Sequence, residues 1–218
     1  MTQGGAIRLQ RTSLRDQVLE VVRQAMVSGE IRPGDIYSAA ALAARLGVSS
    51  SPVREAMLTL VNQGLMEPVR NRGYRVVAMG EQDLDEIYEL RRLLEIPATL
   101  SAGANAEPGD LDRLGGLAAD IEAAAEAGDV ARFLDADRRF HLDLLTLGGN
   151  GRLVAGVMAL RDQTRLYGLE KLAEDGRLTG AAGEHREILA AISLRDQSKL
   201  EDLMRAHLRH TRADWAAG

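Results

Sequence analysis

The chain has 218 residues, of which 45% are hydrophobic and only 3% are aromatic, so aliphatic side chains must fill its core and a mainly helical fold is favoured. It contains no cysteine, which excludes disulfides, thiolate zinc sites and cysteine nucleophiles. The net charge of −5 divides unevenly: residues 1–80 carry ten arginines and six acidic residues (+4), whereas residues 81–218 carry 17 basic and 26 acidic residues (−9). The basic N-terminal part predicts a module that binds a polyanion, joined to a second unit.

No run of about 18 apolar residues occurs, so we expect no helix that spans a membrane. The first residues, MTQGGAIRLQRTS, lack the apolar stretch of a signal peptide. Together with the lack of cysteine, these features predict a cytoplasmic protein.

The N-terminal part begins with two predicted helices, each marked by apolar residues at spacings of three and four. The first helix begins after Ser13, a suitable N-terminal cap, and ends near Gly29. The segment 31–35, Ile-Arg-Pro-Gly-Asp, is typical of a turn. Ser38 is expected to cap a short second helix, which ends at Gly47.

A third helix is predicted to begin in the run Ser-Ser-Ser-Pro, with Pro52 near its first position, and to continue to Gly64. Two short strands are then expected at 65–69 and 74–77, joined through a hairpin tip. A helix, a tight turn, a second helix and a basic hairpin are the parts of a winged helix-turn-helix. We therefore predict that residues 1–78 form a domain that binds duplex DNA.

The remaining residues, 79–218, are predicted to form a compact antiparallel all-helical bundle, because Ala and Leu recur at helical spacing throughout. Helices are expected near 82–104, 110–127, 129–148, 150–173, 178–194 and 196–215. The whole chain is thus predicted to be mainly α, with a winged helix-turn-helix followed by a bundle.

Short polar residues begin the third helix, and arginines crowd the hairpin. Serine hydroxyls and helix N-terminal amides suit phosphate oxygens, and an arginine one turn into the helix can reach a guanine edge or a phosphate. A flexible glycine in the hairpin would let it approach the DNA backbone or the minor groove. The predicted DNA-binding residues are Ser49, Ser50, Ser51, Arg54, Arg70, Arg72 and Gly73.

All four histidines follow residue 140. Asp137 precedes His141 by four residues, a spacing that puts the carboxylate and the imidazole on one helix face. His185 and His207 lie in two further predicted helices, so three helices could direct one carboxylate and three imidazoles at one cation. Such a donor set suits a divalent ion of the Zn, Ni or Mn class. For any one histidine, a hydrogen-bonded core or surface position is the alternative. His210, three residues past His207, is interpreted as a surface residue or as one that supports the ligands from outside, and a shift in register could exchange the two.

Several motifs resemble the GntR family of bacterial regulators, in particular its branch with an all-helical FCD domain, as in FadR-type and VanR-type regulators. The matching segments are Leu42-Ala43, Gly47-Val48-Ser49, Pro52-Val53-Arg54-Glu55-Ala56, Gly64-Leu65 and Arg72-Gly73-Tyr74-Arg75-Val76. The resemblance continues through the helical half, where six predicted helices favour the VanR-type arrangement. It also implies that Asp137, His141, His185 and His207 are the ligands of a divalent metal.

Two positions depart from the family pattern. Ser50 lies where the family usually has arginine, and Ala40 lies within a run of three alanines where relatives often carry a polar pair. A bidentate arginine–guanine contact contributes about 1–3 kcal/mol of base discrimination. The resemblance therefore implies DNA binding more strongly than it implies any particular operator sequence.

The resemblance further implies a homodimer that binds an inverted-repeat DNA operator and responds to a small organic or sugar acid held near the metal. The expected function is that of a repressor that its effector releases from DNA. Arg91, Arg92 and Arg161 are the candidate effector-binding residues, since a guanidinium can bind a carboxylate bidentately; a surface ion pair is the alternative for each. Two other functions remain open: a metal-dependent hydrolase with an accessory DNA-binding domain, and a nucleic-acid-binding structural protein without a ligand.

Overall fold

The computed structural model describes residues 13–27, 29–164 and 176–215, and the chain divides into two compact units, 1–77 and 78–218. In the first unit, helices α1, α2 and α3 span Leu14–Val27, Ala39–Leu46 and Ser50–Asn62, and strands β1, β2 and β3 span Ile36–Tyr37, Met66–Val69 and Gly73–Val76. The three strands form one antiparallel sheet in the order β1-β3-β2.

The core of the first unit comes from the apolar faces of its three helices and from the sheet. Its fully buried side chains include Val22, Val53, Met57, Leu60 and Val76. Helices α2 and α3 pack against one another, and α1 packs on α3. This is the winged helix-turn-helix that the sequence predicts, so that prediction is confirmed.

Strand β1 was not predicted from the sequence, because two residues are too few to show a period. Ile36 lies opposite Arg75, and Tyr37 lies opposite Tyr74, so β1 pairs with the wing strand β3. The predicted turn before β1 is observed, with the Asp35 amide donating to the Arg32 carbonyl oxygen over 3.2 Å. The pairing attaches the wing to the segment that precedes α2.

The predicted helix caps have different outcomes. The Ser13 hydroxyl accepts a hydrogen bond from the Asp16 amide over 3.1 Å, which confirms the cap of α1. Ser38 occupies the N-terminal cap position of α2, but its side chain makes no capping hydrogen bond, so that part of the prediction is wrong. Gly47 ends α2 in the left-handed region, with φ of 67°, as a C-terminal glycine is expected to do.

The second unit is a bundle of helices. Its described helices α4 to α9 span Glu81–Asn105, Pro108–Glu126, Val130–Thr146, Gly151–Thr164, Leu178–Ser193 and Gln197–Trp215. The predicted helix at 150–173 is described as far as Thr164, and its remainder lies outside the described residues. Helix α5 packs against α6 and α8, whereas α9 packs against α4 and α8. Within the described ranges, no helix is long and apolar enough to cross a membrane.

Two features hold α4 closely against its neighbours. A Cβ atom at Gly103 would lie 2.9 Å from a methyl carbon of Leu200, so α4 and α9 approach each other where no side chain intervenes. Arg195, which adopts a φ of 57°, donates to the carbonyl oxygens of Gly103, Ala104 and Ala106 over 2.7–2.8 Å. These bonds satisfy carbonyl groups at the end of α4 that have no partner within the helix.

Candidate metal centre and nucleic-acid interface

The start of α3 offers amides and hydroxyls at an exposed helix terminus. Ser49 is an exposed residue with extended backbone at the cap position, and its side chain makes no capping hydrogen bond. Ser51 and Arg54 are exposed, and Ser50 is half-buried. The Ser51 hydroxyl donates to Glu55 over 3.2 Å. Free N–H groups and positive dipole at a helix start favour an anion such as a phosphate.

The wing places two exposed arginines, Arg70 and Arg72, at its tip. Between them Asn71 adopts a left-handed φ of 59°, and the Arg72 amide closes the turn on the Val69 carbonyl oxygen over 3.0 Å. The two guanidinium groups therefore project from a tight hairpin. They provide positive charge suited to a DNA backbone or a minor groove.

Gly73 has a structural role that differs from the predicted one. Its φ is 128°, and a Cβ atom there would lie 2.3 Å from the Tyr37 carbonyl oxygen. Only glycine lets β3 come this close to β1. The interpretation of Gly73 as a flexible residue is therefore corrected: it fixes the wing in the sheet.

The four predicted metal ligands come together inside the second unit. Asp137 and His141 lie one turn apart on α6, His185 lies on α8 and His207 lies on α9. One donor atom from each lies within 4.8 Å of every other. The three imidazoles are almost completely buried, whereas 20% of the Asp137 side chain is exposed.

The spacing of the donor atoms fits a divalent ion. The His185 Nε2 atom lies 3.1 Å from both the His141 Nε2 atom and the Asp137 Oδ1 atom, and the latter two atoms are 3.6 Å apart. Bonds of about 2.1 Å at tetrahedral or octahedral angles would separate neighbouring donors by about 3.0–3.4 Å. The donor atoms of Asp137, His141 and His185 are thus close to the arrangement that a bound cation requires.

Hydrogen bonds outside the cluster direct the Nε2 atoms inward. The Nδ1 atom of His185 bonds to the Ala182 carbonyl oxygen over 3.1 Å, which makes Nδ1 the protonated nitrogen and leaves a lone pair on Nε2. That lone pair faces an imidazole nitrogen and a carboxylate oxygen, an arrangement that a shared cation would stabilise. The His207 Nε2 atom is buried and has no hydrogen-bond partner among the described residues.

The ionisation states also suit metal binding. Burial, together with the charge of Arg161, lowers the pKa of His141 well below its usual value, and burial also lowers the pKa of His207. Burial alone would raise the pKa of Asp137, but Arg161 and His141 outweigh it and hold that pKa well below its usual value. Neutral imidazoles and an ionised carboxylate are the forms that bind metals.

A buried network of ion pairs lies beside the cluster. Arg161 donates from Nη1 to Glu95 over 2.6 Å and from Nη2 to Asp137 over 2.8 Å. Arg91 donates from Nε to the other Glu95 oxygen over 2.5 Å. Arg91 and Arg161 are only 2% and 6% exposed, so the alternative of surface ion pairs is wrong for both. The Arg91 Nη2 atom is buried without a hydrogen-bond partner among the described residues.

A cavity of about 80 Å³ adjoins three of the clustered ligands and is lined by Arg91, Arg161 and the indole of Trp215. The Arg91 guanidinium carbon lies 5.6 Å from the centre of the Trp215 ring. Arg92, the third predicted effector-binding arginine, is exposed, stacks at 5.6 Å over Tyr88, and lines a separate groove on the outside of α4. The structure therefore separates Arg92 from the other two arginines.

Sequence reasoning missed one acidic residue that contacts this site, Glu184. Glu184 accepts hydrogen bonds from the Nδ1 atoms of His207 and His210, over 2.7 and 2.5 Å. Burial raises its pKa, but these two bonds and the charges of both rings outweigh burial and lower the pKa to about 2. Glu184 directly precedes His185, but nothing in the sequence indicates that it reaches across to α9.

Each of the two units matches a known protein family. Residues 14–76 match the family described as bacterial regulatory proteins, gntR family, and residues 86–210 match the family described as FCD domain. The probable D-xylose utilization operon transcriptional repressor of Paenarthrobacter nicotinovorans is 30% identical over 201 residues, which cover 92% of this chain and 88% of that protein.

Escherichia coli K12 contains a further relative, the HTH-type transcriptional regulator McbR. It is 33% identical over 138 residues, which cover 63% of this chain and 62% of McbR, a little under two thirds of that relative. The solved structure of E. coli McbR/YncC is similar, with a TM-score of 0.81 at 27% sequence identity, and the match covers 94% of this chain and 98% of that chain.

Proposed function

Since the chain belongs to the GntR family of bacterial transcriptional regulators and carries an FCD domain, we propose that a small carboxylate, held beside a divalent metal, controls its binding to DNA. Membership of this family makes the protein a transcriptional regulator and not an enzyme, so a metal-dependent hydrolase is not its function. The observation that carries the proposal is the convergence of Asp137, His141, His185 and His207 beside a cavity that Arg91 also lines.

At the DNA, α3 is the element that enters the major groove. Ser49, Ser50 and Ser51 contact phosphates near the start of the helix, and Arg54 reaches a base edge or a phosphate. Arg70 and Arg72 in the wing contact the backbone or the minor groove. Gly73 supports them by fixing β3 against β1. A transcriptional regulator acts at the chromosome, so this function also places the protein in the cytoplasm.

Asp137, His141, His185 and His207 would hold the ion, which belongs to the Zn, Ni or Mn class. When bound, it supplies positive charge and open coordination positions that attract a carboxylate. Arg161 holds Asp137 in position through the bond to its Oδ2 atom, which leaves the Oδ1 atom turned to the imidazoles.

The effector is a small organic or sugar acid, in keeping with a cavity of about 80 Å³. The charges of Arg91 and Arg161 cancel those of Glu95 and Asp137, so a divalent ion adds positive charge that an acid would offset. Arg91 is the first candidate to bind the acid, because its buried Nη2 group needs an acceptor. Arg161 supports the site through its bond to Asp137. Arg92 does not line this cavity and lies on the outside of α4.

We assign Arg92 to a dimer face on the outside of α4. Leu90 and Leu93 are 47% and 64% exposed there, which is unusual for large apolar side chains. A groove of about 480 Å³ beside them is lined by apolar residues, two acidic residues and two arginines. A second copy of the chain would bring matching charges, and two copies would read an inverted-repeat operator.

The effector can change DNA binding only through a difference in its affinity for the two conformational states. We propose that it favours the state with weaker DNA binding, so that the protein is a repressor released by its effector. The D-xylose relative, whose name describes it as a repressor, supports this direction.

Metal analysis of the purified protein, combined with an effector screen, tests this proposal. We expect one divalent ion per chain in the wild type and none in His141→Ala, whereas His210→Ala keeps its ion because that imidazole lies outside the cluster. Small carboxylates should raise the unfolding temperature only in the presence of metal, and should release the upstream DNA in a band-shift assay. Unchanged metal content in His141→Ala would contradict the ligand set.

A further inference from the structure

We propose that Glu184 is a positioning residue that orients His207 as a metal ligand by fixing the protonated nitrogen on the outer side of the imidazole. This inference rests on the metal site of the proposed function, and it concerns a residue outside the set of four ligands.

The contact comes from a neighbouring helix and is specific to one nitrogen. Glu184 lies on α8, and its Oε2 atom accepts a hydrogen bond of 2.7 Å from the Nδ1 atom of His207 on α9. A carboxylate can only accept, so Nδ1 must carry the proton. In a neutral ring this leaves the lone pair on Nε2, the nitrogen that faces the cluster.

Among the described residues, nothing forms a hydrogen bond with the inner nitrogen of His207, Nε2. The His207 Nε2 atom is buried, and no hydrogen-bond partner satisfies it. The centre of its ring lies 4.8 Å from that of His141 and 5.2 Å from that of His185. A buried acceptor without a partner is destabilising unless something binds it. A cation could bind the His207 Nε2 atom together with the imidazole nitrogens and the carboxylate oxygen that surround it.

A second imidazole of the site is also oriented by a hydrogen bond from its Nδ1 atom to an acceptor outside the cluster. The Nδ1–H group of His185 donates a hydrogen bond to the carbonyl oxygen of Ala182, so its Nε2 atom also turns inward. Outer acceptors of this kind fix the tautomer and the orientation of metal-binding imidazoles, and their loss weakens metal binding about 10–100-fold. Glu184 differs from Ala182 in that its acceptor is charged and also binds His210.

Metal titrations of four proteins test the inference. We expect Glu184→Ala to bind Zn²⁺ about 10–100-fold more weakly than the wild type, and Glu184→Gln to recover part of the loss because its amide oxygen still accepts a hydrogen bond. The control is Glu187→Ala, which removes an exposed carboxylate from the same helix and should bind Zn²⁺ as the wild type does.

Two further measurements separate positioning from a merely structural role. In the metal-free protein, ¹⁵N NMR of the histidines should show a proton on Nδ1 of His207 in the wild type and a redistribution toward Nε2 in Glu184→Ala. With Co²⁺, the visible spectrum of Glu184→Ala should differ from that of the wild type, whereas that of Glu187→Ala should not.

Equal Zn²⁺ affinity in Glu184→Ala and the wild type, with an unchanged His207 tautomer, would overturn the inference while leaving the metal site intact. A wild type that binds no divalent ion would instead overturn the proposed function. In that case the NMR experiment still reports whether Glu184 controls the tautomer of His207.

Discussion

At the scale of single residues, this protein has two kinds of arginine that its sequence does not distinguish. Arg161 is almost fully buried between Glu95 and Asp137, and each of its terminal nitrogens binds one carboxylate. Arg139 lies on the same bundle, but it and its partner Asp135 are about half exposed, at 52% and 55%. Buried and exposed ion pairs have different energetic consequences when one partner is removed.

Arg161→Met should therefore destabilise the metal-free protein strongly, because it leaves the buried carboxylate of Glu95 and the half-buried carboxylate of Asp137 without their shared cation. We expect a loss of about 3–5 kcal/mol in the free energy of unfolding, measured by urea denaturation. Arg139→Met is the matched control and should cost less than about 1 kcal/mol. Similar losses in the two variants would contradict the role given to Arg161.

The charge of Glu95 depends on the two arginines that contact it. Burial raises its pKa, but Arg91 and Arg161 outweigh burial and lower that pKa from an ordinary 4.5 to about 2. As the pH falls, the unfolded chain therefore takes up the proton first, so the stability that ionised Glu95 contributes is complete above about pH 4.5 and is lost between about pH 4.5 and 2.

The difference in unfolding free energy between the wild type and Glu95→Gln should accordingly narrow by roughly 3 kcal/mol between pH 6 and pH 2, because one pKa unit corresponds to about 1.4 kcal/mol. Chemical denaturation at stepped pH measures it. A difference that stays constant over this range would show that Glu95 is not held ionised by its two arginines.

How far the sequence predicts this site depends on whether a contact lies within one helix or between two. Asp137 and His141 are four residues apart, so their shared face follows from helical geometry. The contact of Glu184 with His207 joins α8 to α9, and its direction depends on packing that no local pattern encodes. The burial of Arg91 was equally unpredictable, because arginine is usually exposed.

At the scale of elements, α3 and the wing are suited to different kinds of DNA contact. The position of Arg54 one turn into α3 suits base reading, whereas Arg72 at the hairpin tip suits the sugar-phosphate backbone. The sequence predicted these elements well, because each is marked by glycine, proline or apolar spacing. It did not predict β1, whose two residues gain their structure only from pairing with β3.

Arg54→Ala should therefore cost about 1–3 kcal/mol of operator binding and reduce the preference for the operator over unrelated DNA. Arg72→Ala should weaken binding to both DNAs alike and reduce the slope of log affinity against log salt by about 1.

Fluorescence anisotropy titrations at several salt concentrations measure both effects. Arg152→Ala, which removes an exposed arginine of the second unit, is the control for the change in charge. If Arg54→Ala kept the full preference for the operator, the proposal that Arg54 reads a base would be wrong.

At the scale of the whole molecule, the two parts of the chain differ in the sign of their net charge: residues 1–80 carry +4 and the remainder carries −9. A unit with a net negative charge has little general affinity for DNA, so we expect DNA binding to depend on the N-terminal unit. A single small winged helix-turn-helix with few phosphate contacts binds weakly, and pairing two such units on one operator increases the affinity through a high effective concentration.

Leu93→Glu tests whether α4 supplies the pairing surface. The new charge would be buried against a second copy, so we expect a monomer in sedimentation velocity and much weaker operator binding. Leu194→Glu changes a leucine that is 78% exposed at the end of α8 and should leave the dimer intact. A dimeric Leu93→Glu protein would mean that the subunits meet elsewhere.

The close approach of β3 to β1 affects how mutational data on this regulator would be interpreted. Every substitution at Gly73 adds a Cβ atom that would lie 2.3 Å from the Tyr37 carbonyl oxygen, so each one must displace the wing. In a scan scored by reporter repression, position 73 would therefore be as intolerant as a base-contacting arginine, although it has no side chain to offer DNA. Genetics alone would place it in the recognition surface, and only a folding assay beside the reporter would reveal its structural role.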